Sequence, residues 1–144
     1  MPKLMGKLAE RLGDASRSGV YRATSSDAVL DALRGTRLGL ARISLEGAFD
    51  KEQVLGRVAT SLAFPQWFGA NWDALEDCLT DLSWRESDGH LLLVERFTPG
   101  DVLGILIDVL ASSAEFWAAR GKPFFAVFVD PQRTLGLADL FRGA

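Results

Sequence analysis

The residues best placed for chemistry lie between Leu62 and Trp84, in the stretch LAFPQWFGANWDALEDCLTDLSW. Four carboxylates, Asp73, Glu76, Asp77 and Asp81, fall there with no Lys or Arg among them. On a helix, Asp73 and Asp77 would have β-carbons about 5–6 Å apart. Such a pair can share acid–base work, hold a hard metal ion, or meet a basic partner. The first two roles need companions, and Glu95 at the end of a strand is the one attractive further ligand. The only histidine is His90, and there is no GxSxG and no His/Cys cluster, so a nucleophilic triad lacks its parts. His90 reads as a surface or strand-end residue. Cys78 is the single cysteine, which excludes an internal disulfide and multi-cysteine metal sites; it reads as a buried, inert thiol. The glycines follow neither the phosphate-loop nor the dinucleotide spacing. The chain thus offers no catalytic set, and the expectation is a protein that is not an enzyme and has no metal and no cofactor.

The carboxylates must be positioned by a helix. Asn71 is a good N-cap, which predicts a helix from Trp72 to about Leu82. Trp72, Leu75, Leu79 and Leu82 then make its apolar face. Asp73, Asp77 and Asp81 form a stripe on another face, with Glu76 and Thr80 beside it. Like charges at i and i+4 cost about 0.2–0.5 kcal/mol per pair, and only Asp73 is helped by the helix dipole. A row of carboxylates is ordinarily a solvated face. Here it has no interspersed cation, and it adjoins Trp67 and Phe68 in a short loop with Gly69, where bulky aromatics are costly to expose. Aromatic anchors beside a single-sign patch suit a protein–protein interface with a basic partner.

The remaining chain supplies a frame. Its 144 residues, 48% hydrophobic and 24% charged, predict one domain with a substantial core. A net charge of −3 argues mildly against general nucleic-acid binding. No run reaches the roughly 18–20 apolar residues of a membrane span, and the start, MPKLMGKLAERLGD, is too polar for a signal peptide. A soluble, cytoplasmic protein is expected, with no nucleic-acid or membrane partner. No feature specifies an oligomeric state.

Residues 3–13 predict a short helix, with Leu4, Met5, Leu8 and Leu12 opposite Lys3, Lys7 and Arg11. Val20–Ala23 reads as an edge strand, and Ser25 or Ser26 caps a helix to about Leu33. Leu38–Leu45 reads as a strand whose Arg42 marks an edge or bulge, and Asp50–Phe64 as a helix. Leu91–Val94 and Pro123–Val129 read as strands, the first buried on both faces. Between them Thr98, Pro99 and Asp101 resemble a helix start, and the tail from Pro131 has enough Leu and Phe for a short helix. The fold class is α/β, a small parallel sheet of three strands, or four, with helices packed on it. Residues 1–36 are expected as an N-terminal extension, packed on or loosely attached to a domain at 37–144.

The run FPQWFGANWDALEDCLTDL resembles the signature of the barstar family, intracellular inhibitors of guanyl-specific ribonucleases. The strand–helix order from about Arg37 to Val129 agrees with that family's parallel three-stranded sheet. The resemblance implies that the acidic helix and preceding loop plug the phosphate-binding active site of a small basic ribonuclease. Asp77 would be the central carboxylate, with Asp73 beside it and Trp67 as the aromatic anchor. Gly69, Asn71 and Thr80 match neighbouring contact positions, and Phe68 and Glu76 complete the predicted surface. Glu76 stands where the best-known member has a Trp, and Phe116, with Glu115 adjacent, stands where the family can supply another acid. Two alternatives remain beside the ribonuclease. One is another basic partner, or the chain's own N-terminus folded on the acidic face, since residues 1–22 carry five basic and two acidic side chains. The other is an acid- or metal-dependent enzyme.

Overall fold

The computed structural model describes residues 2–66 and 68–141, with side chains from Lys7 onward. Five strands make one sheet: β1 (Gly19–Ala23), β2 (Gly39–Ser44), β3 (His90–Glu95), β4 (Phe124–Val129) and β5 (Ala138–Asp139). Their order is β2-β3-β4-β1-β5, and every pairing is parallel. The continuous apolar runs of β3 and β4 occupy the inside of the sheet. All side chains from His90 to Val94 and from Phe124 to Phe128 are buried, as parallel strands covered on both faces require.

Alternation along the strands divides the core in two. Leu92, Val94, Phe124, Ala126 and Phe128 face α3 (Lys51–Ser61), α4 (Trp72–Leu79) and α5 (Asp101–Ala118). Leu91, Leu93, Phe125 and Val127 face α1 (Pro2–Leu12) and α2 (Ser26–Leu33), which contribute Leu8, Leu12, Val29 and Ala32. The step from β1 back to β2 uses α2 on one face, while the steps forward from β2 to β4 use α3 to α5 on the other. Opposite directions of travel on opposite faces are what right-handed crossovers demand.

Several expectations from the sequence are revised. The sheet has five strands, not three or four, because β1 pairs along its whole length with β4 and a two-residue β5 pairs with β1. The described part of the tail, to residue 141, thus carries a two-residue strand where a short helix was expected. Arg22 of β1 fixes it, donating from Nε to Asp139 at 2.8 Å and from Nη1 to the Leu135 carbonyl at 3.0 Å. Helix α5 begins after Gly100, with no side-chain cap, rather than at the Thr98–Pro99 signal. Helix α3 starts with a capping box of Asp50 and Gln53, and it stops at Ser61, before Phe64. Its end has Ala63 at φ 52°, with Ala63 N–H donating to the Thr60 carbonyl and Phe64 N–H to the Ala59 carbonyl. This is a Schellman stop made without the usual glycine.

The N-terminal segment packs on the α2 side of the sheet, where Leu8 and Leu12 are buried. That puts α1 across the sheet from α4, so this helix does not fold over the acidic face. His90 is also revised: it lies at a strand start but is only 2% exposed, because Trp117 and Phe124 pack on its ring.

Two indoles lock the helix ends near the predicted site. Trp117 Nε1 donates to the Leu79 carbonyl at 2.8 Å, and Trp84 Nε1 to the Leu62 carbonyl at 2.9 Å. Both carbonyls belong to helix ends, where no backbone N–H of the same helix is available. Trp117→Phe keeps most of the ring but removes the donor. It should lower stability by about 1–3 kcal/mol, read as a lower urea midpoint at unchanged slope. An unshifted midpoint would show that water replaces the indole without loss.

Candidate binding face on α4

Helix α4 begins where the sequence predicts. The Asn71 side-chain oxygen accepts from Ala74 N–H at 2.7 Å, and its amide nitrogen donates to the Gly69 carbonyl at 3.4 Å. Asn71 is thus committed to building the helix start. Ala70, before it, has φ 51°, a left-handed conformation that costs a residue with a Cβ roughly 1–2 kcal/mol. Gly69 has ordinary space around it, the nearest atoms to an added Cβ being Asn71 Nδ2 at 3.5 Å and Ala74 Cβ at 3.6 Å.

The helix ends sooner than expected, at Leu79 rather than about Leu82. Thr80 caps it, and Leu82 adopts φ 51° to carry its side chain back into the core. Leu75, Cys78, Leu79 and Leu82 are buried, and Trp72 is half-buried against them. The acidic stripe is therefore shorter as a helical feature. Asp73 and Asp77 are exposed on α4, Glu76 is half-buried beside them, and Asp81 is exposed in the turn that follows. Among the described residues no ion pair involves any of these four carboxylates.

The other predicted residues divide. The Thr80 hydroxyl donates to the Glu76 carbonyl at 2.8 Å, so its proton is used within the helix. Phe68 is half-buried and turned inward, edge-on to Phe64 with ring centres 5.0 Å apart, and Phe64 in turn meets Trp84 at 5.9 Å. Phe68 braces the loop from inside. Trp67 lies outside the described residues. At the C-terminal end of α5, Phe116 is half-buried beneath the Arg120 guanidinium, 3.5 Å from the ring centre, while Glu115 is exposed. A cation–aromatic pair thus stands there in place of a lone acid.

Sequence reasoning did not find the two indole locks. Their hydrogen bonds join segments 22 and 38 residues apart, which no local pattern signals.

Among the described residues the other candidates for chemistry are each engaged elsewhere. Cys78 is buried, and its burial, with Asp81 and Asp77 adding negative charge, pushes the thiol up and away from a reactive thiolate. Glu95 does not join the α4 carboxylates, because Arg42 holds it through two bonds of 2.9 Å. Among the described residues no group of three or more His, Cys, Asp or Glu can hold a metal ion. Among the same residues no helix is long and apolar enough to cross a membrane.

Comparison with known proteins bears on this face. A search of curated proteins gave no match. The sequence model of one family, described as Barstar (barnase inhibitor), matches residues 38–129. The matched region runs from the start of β2 to the end of β4 and includes all of α4. It covers well over half of the chain, and the protein belongs to the barstar family, whose members are inhibitors rather than enzymes and bind ribonucleases of the barnase type.

Proposed function

We propose that this protein inhibits a small basic ribonuclease of the barnase type by laying α4 and the loop before it into the enzyme's phosphate-binding active site. The observation that carries the reading is the state of Asp73 and Asp77. Both are exposed on a helix capped by Asn71 and locked at Leu79 by Trp117, and neither has an ion pair among the described residues. Two carboxylates one turn apart repel each other and are available to Arg and Lys from outside. Asp77 takes the central role and Asp73 supports it, with Trp67 as the aromatic anchor and Gly69, Asn71, Glu76 and Thr80 around them. Phe68 contributes by holding the loop's shape.

The surrounding charge favours the same partner. Helices α4 and α5 together carry Asp73, Glu76, Asp77, Asp101, Asp108 and Glu115 and no basic residue. This excess of negative charge on the two helices raises the encounter rate with a basic protein and makes binding weaken with salt.

Calorimetric titration against a barnase-type ribonuclease, with RNA cleavage followed in parallel, tests the reading. One-to-one binding, loss of cleavage and an association rate that falls with ionic strength are expected. Heatless mixing with undiminished cleavage would refute it. Binding of other basic proteins with cleavage untouched would instead point to a different basic partner.

A further inference from the structure

Strand β2 is an open edge of the sheet, paired only with β3. In a parallel pair, alternate residues turn their N–H and C=O toward the neighbouring strand. Gly39 N–H bonds the Gly89 carbonyl and Leu45 N–H the Glu95 carbonyl, so the odd-numbered residues face β3. Leu40, Arg42 and Ser44 therefore turn their backbone groups outward. A row of this kind is a template for another strand.

Two arginines from outside the sheet sit on that row. Arg85 Nη2 donates to the Leu40 carbonyl at 3.1 Å, and Arg57 Nη1 donates to the Ser44 carbonyl at 2.9 Å. Neither arginine has an ion pair among the described residues. Their positions match one geometry in particular. If two copies paired their β2 edges antiparallel about a twofold axis at Arg42, Leu40 of one copy would exchange backbone bonds with Ser44 of the other. The two occupied carbonyls are the outer bonding positions of that dimer. Arg42 would face its own counterpart at the axis, and the pairing would bring four further guanidinium groups together along the seam.

We propose that Arg57 and Arg85 guard the β2 edge and keep two copies of this chain from joining into a continuous ten-stranded sheet. They occupy the acceptors and add like charge, two independent ways of blunting an edge. The inference is independent of the ribonuclease reading, since the row lies on the sheet edge and involves none of the residues assigned to the α4 face.

The test is sedimentation of the full chain with Arg57→Ala and Arg85→Ala combined, beside the wild type. The wild type should sediment as a 15.7 kDa monomer, and the double variant should approach twice that mass as concentration rises. Ser44→Pro, added to the double variant, should restore the monomer. It removes an outward N–H and no bond to β3. Circular dichroism checks that each variant is folded, and if the double variant is not, the single variants carry the test with weaker association expected. Folded variants that stay monomeric would overturn the proposal. So would association that survives Ser44→Pro, or a wild type already dimeric through this edge.

Discussion

Asp77→Ala is expected to lose most of the affinity for a barnase-type ribonuclease while leaving the fold slightly more stable. Removing one partner of a buried, hydrogen-bonded charge pair generally costs about 2–5 kcal/mol, a figure to which the barnase–barstar complex itself contributed. That corresponds to roughly 30- to 4,000-fold in Kd, much of it the penalty of leaving the enzyme's cation unpaired. Stability should move the other way. Asp77 is one turn from both Asp73 and Asp81 and has no cation among the described residues to relieve it. Its loss removes like-charge repulsion of about 0.2–0.5 kcal/mol per helical pair. Calorimetry for binding and urea denaturation for stability separate the two effects. An unaltered Kd would remove Asp77 from the interface, and a large fall in stability would make it a structural residue instead.

The second large effect is on acid stability. His90 is buried against Trp117 and Phe124, and among the described residues Ser87 alone meets a ring nitrogen, Nδ1, at 3.3 Å. The Ser87 hydroxyl gives its proton to the Gly89 carbonyl at 2.7 Å, so a neutral ring protonated on Nδ1 can donate to it. Burial, with the positive charges of Lys122 and Arg85 adding to it, lowers His90 from 6.5 to about 4. The sign follows from which state binds the proton more readily. Between those two values the unfolded chain takes up a proton that the folded chain refuses. Stability is therefore full above pH 6.5, falls as the pH drops toward 4, and is no longer affected by this group below that. The loss is about 3 kcal/mol, at 1.36 kcal/mol for each unit of pKa, a large fraction of the roughly 5–15 kcal/mol that holds a domain together. His90→Phe keeps an aromatic ring there and cannot titrate. Subtracting its denaturation free energies from the wild type's at pH 7, 5.5 and 4 isolates this histidine from the carboxylates. Parallel curves would disprove the assignment.

How far the sequence could be read depended on whether local order decided the outcome. Asn71 announces the start of α4, and the three- and four-residue spacing of Trp72, Leu75 and Leu79 sets which face is buried, so Asp73 and Asp77 were legible as exposed neighbours. The end of α4 was not legible. Leu82 continues the apolar spacing, yet it reaches the core from a left-handed turn rather than from a helix. The two runs of β3 and β4 were plain because burial on both faces leaves no polar side chain to break them. Strand β1 was visible only as a fragment, and its partner could not be read, since Tyr21 and Arg22 say nothing of Val127 and Phe128 opposite them. The burial of His90 and the inward turn of Phe68 were hidden for the same reason. Each is set by rings brought from other elements.

The place of β1 in the sheet also bears on how the chain assembles. Strands β2, β3 and β4 neighbour one another in both sequence and space, so they can condense step by step. Strand β1 is expected to join later, because its register with β4 is closed across a separation of 106 residues, as in the bond from Phe124 N–H to Ser18 Oγ. Loop-closure entropy grows only slowly with length, so the delay costs little stability. Its consequence is one of timing, since long-range pairings form late and leave apolar edges open meanwhile. Until β1 docks, one edge of β4, the most apolar strand, is bare. The first strand of the sheet in chain order is the one that finally shields the last long strand from sticking to another chain.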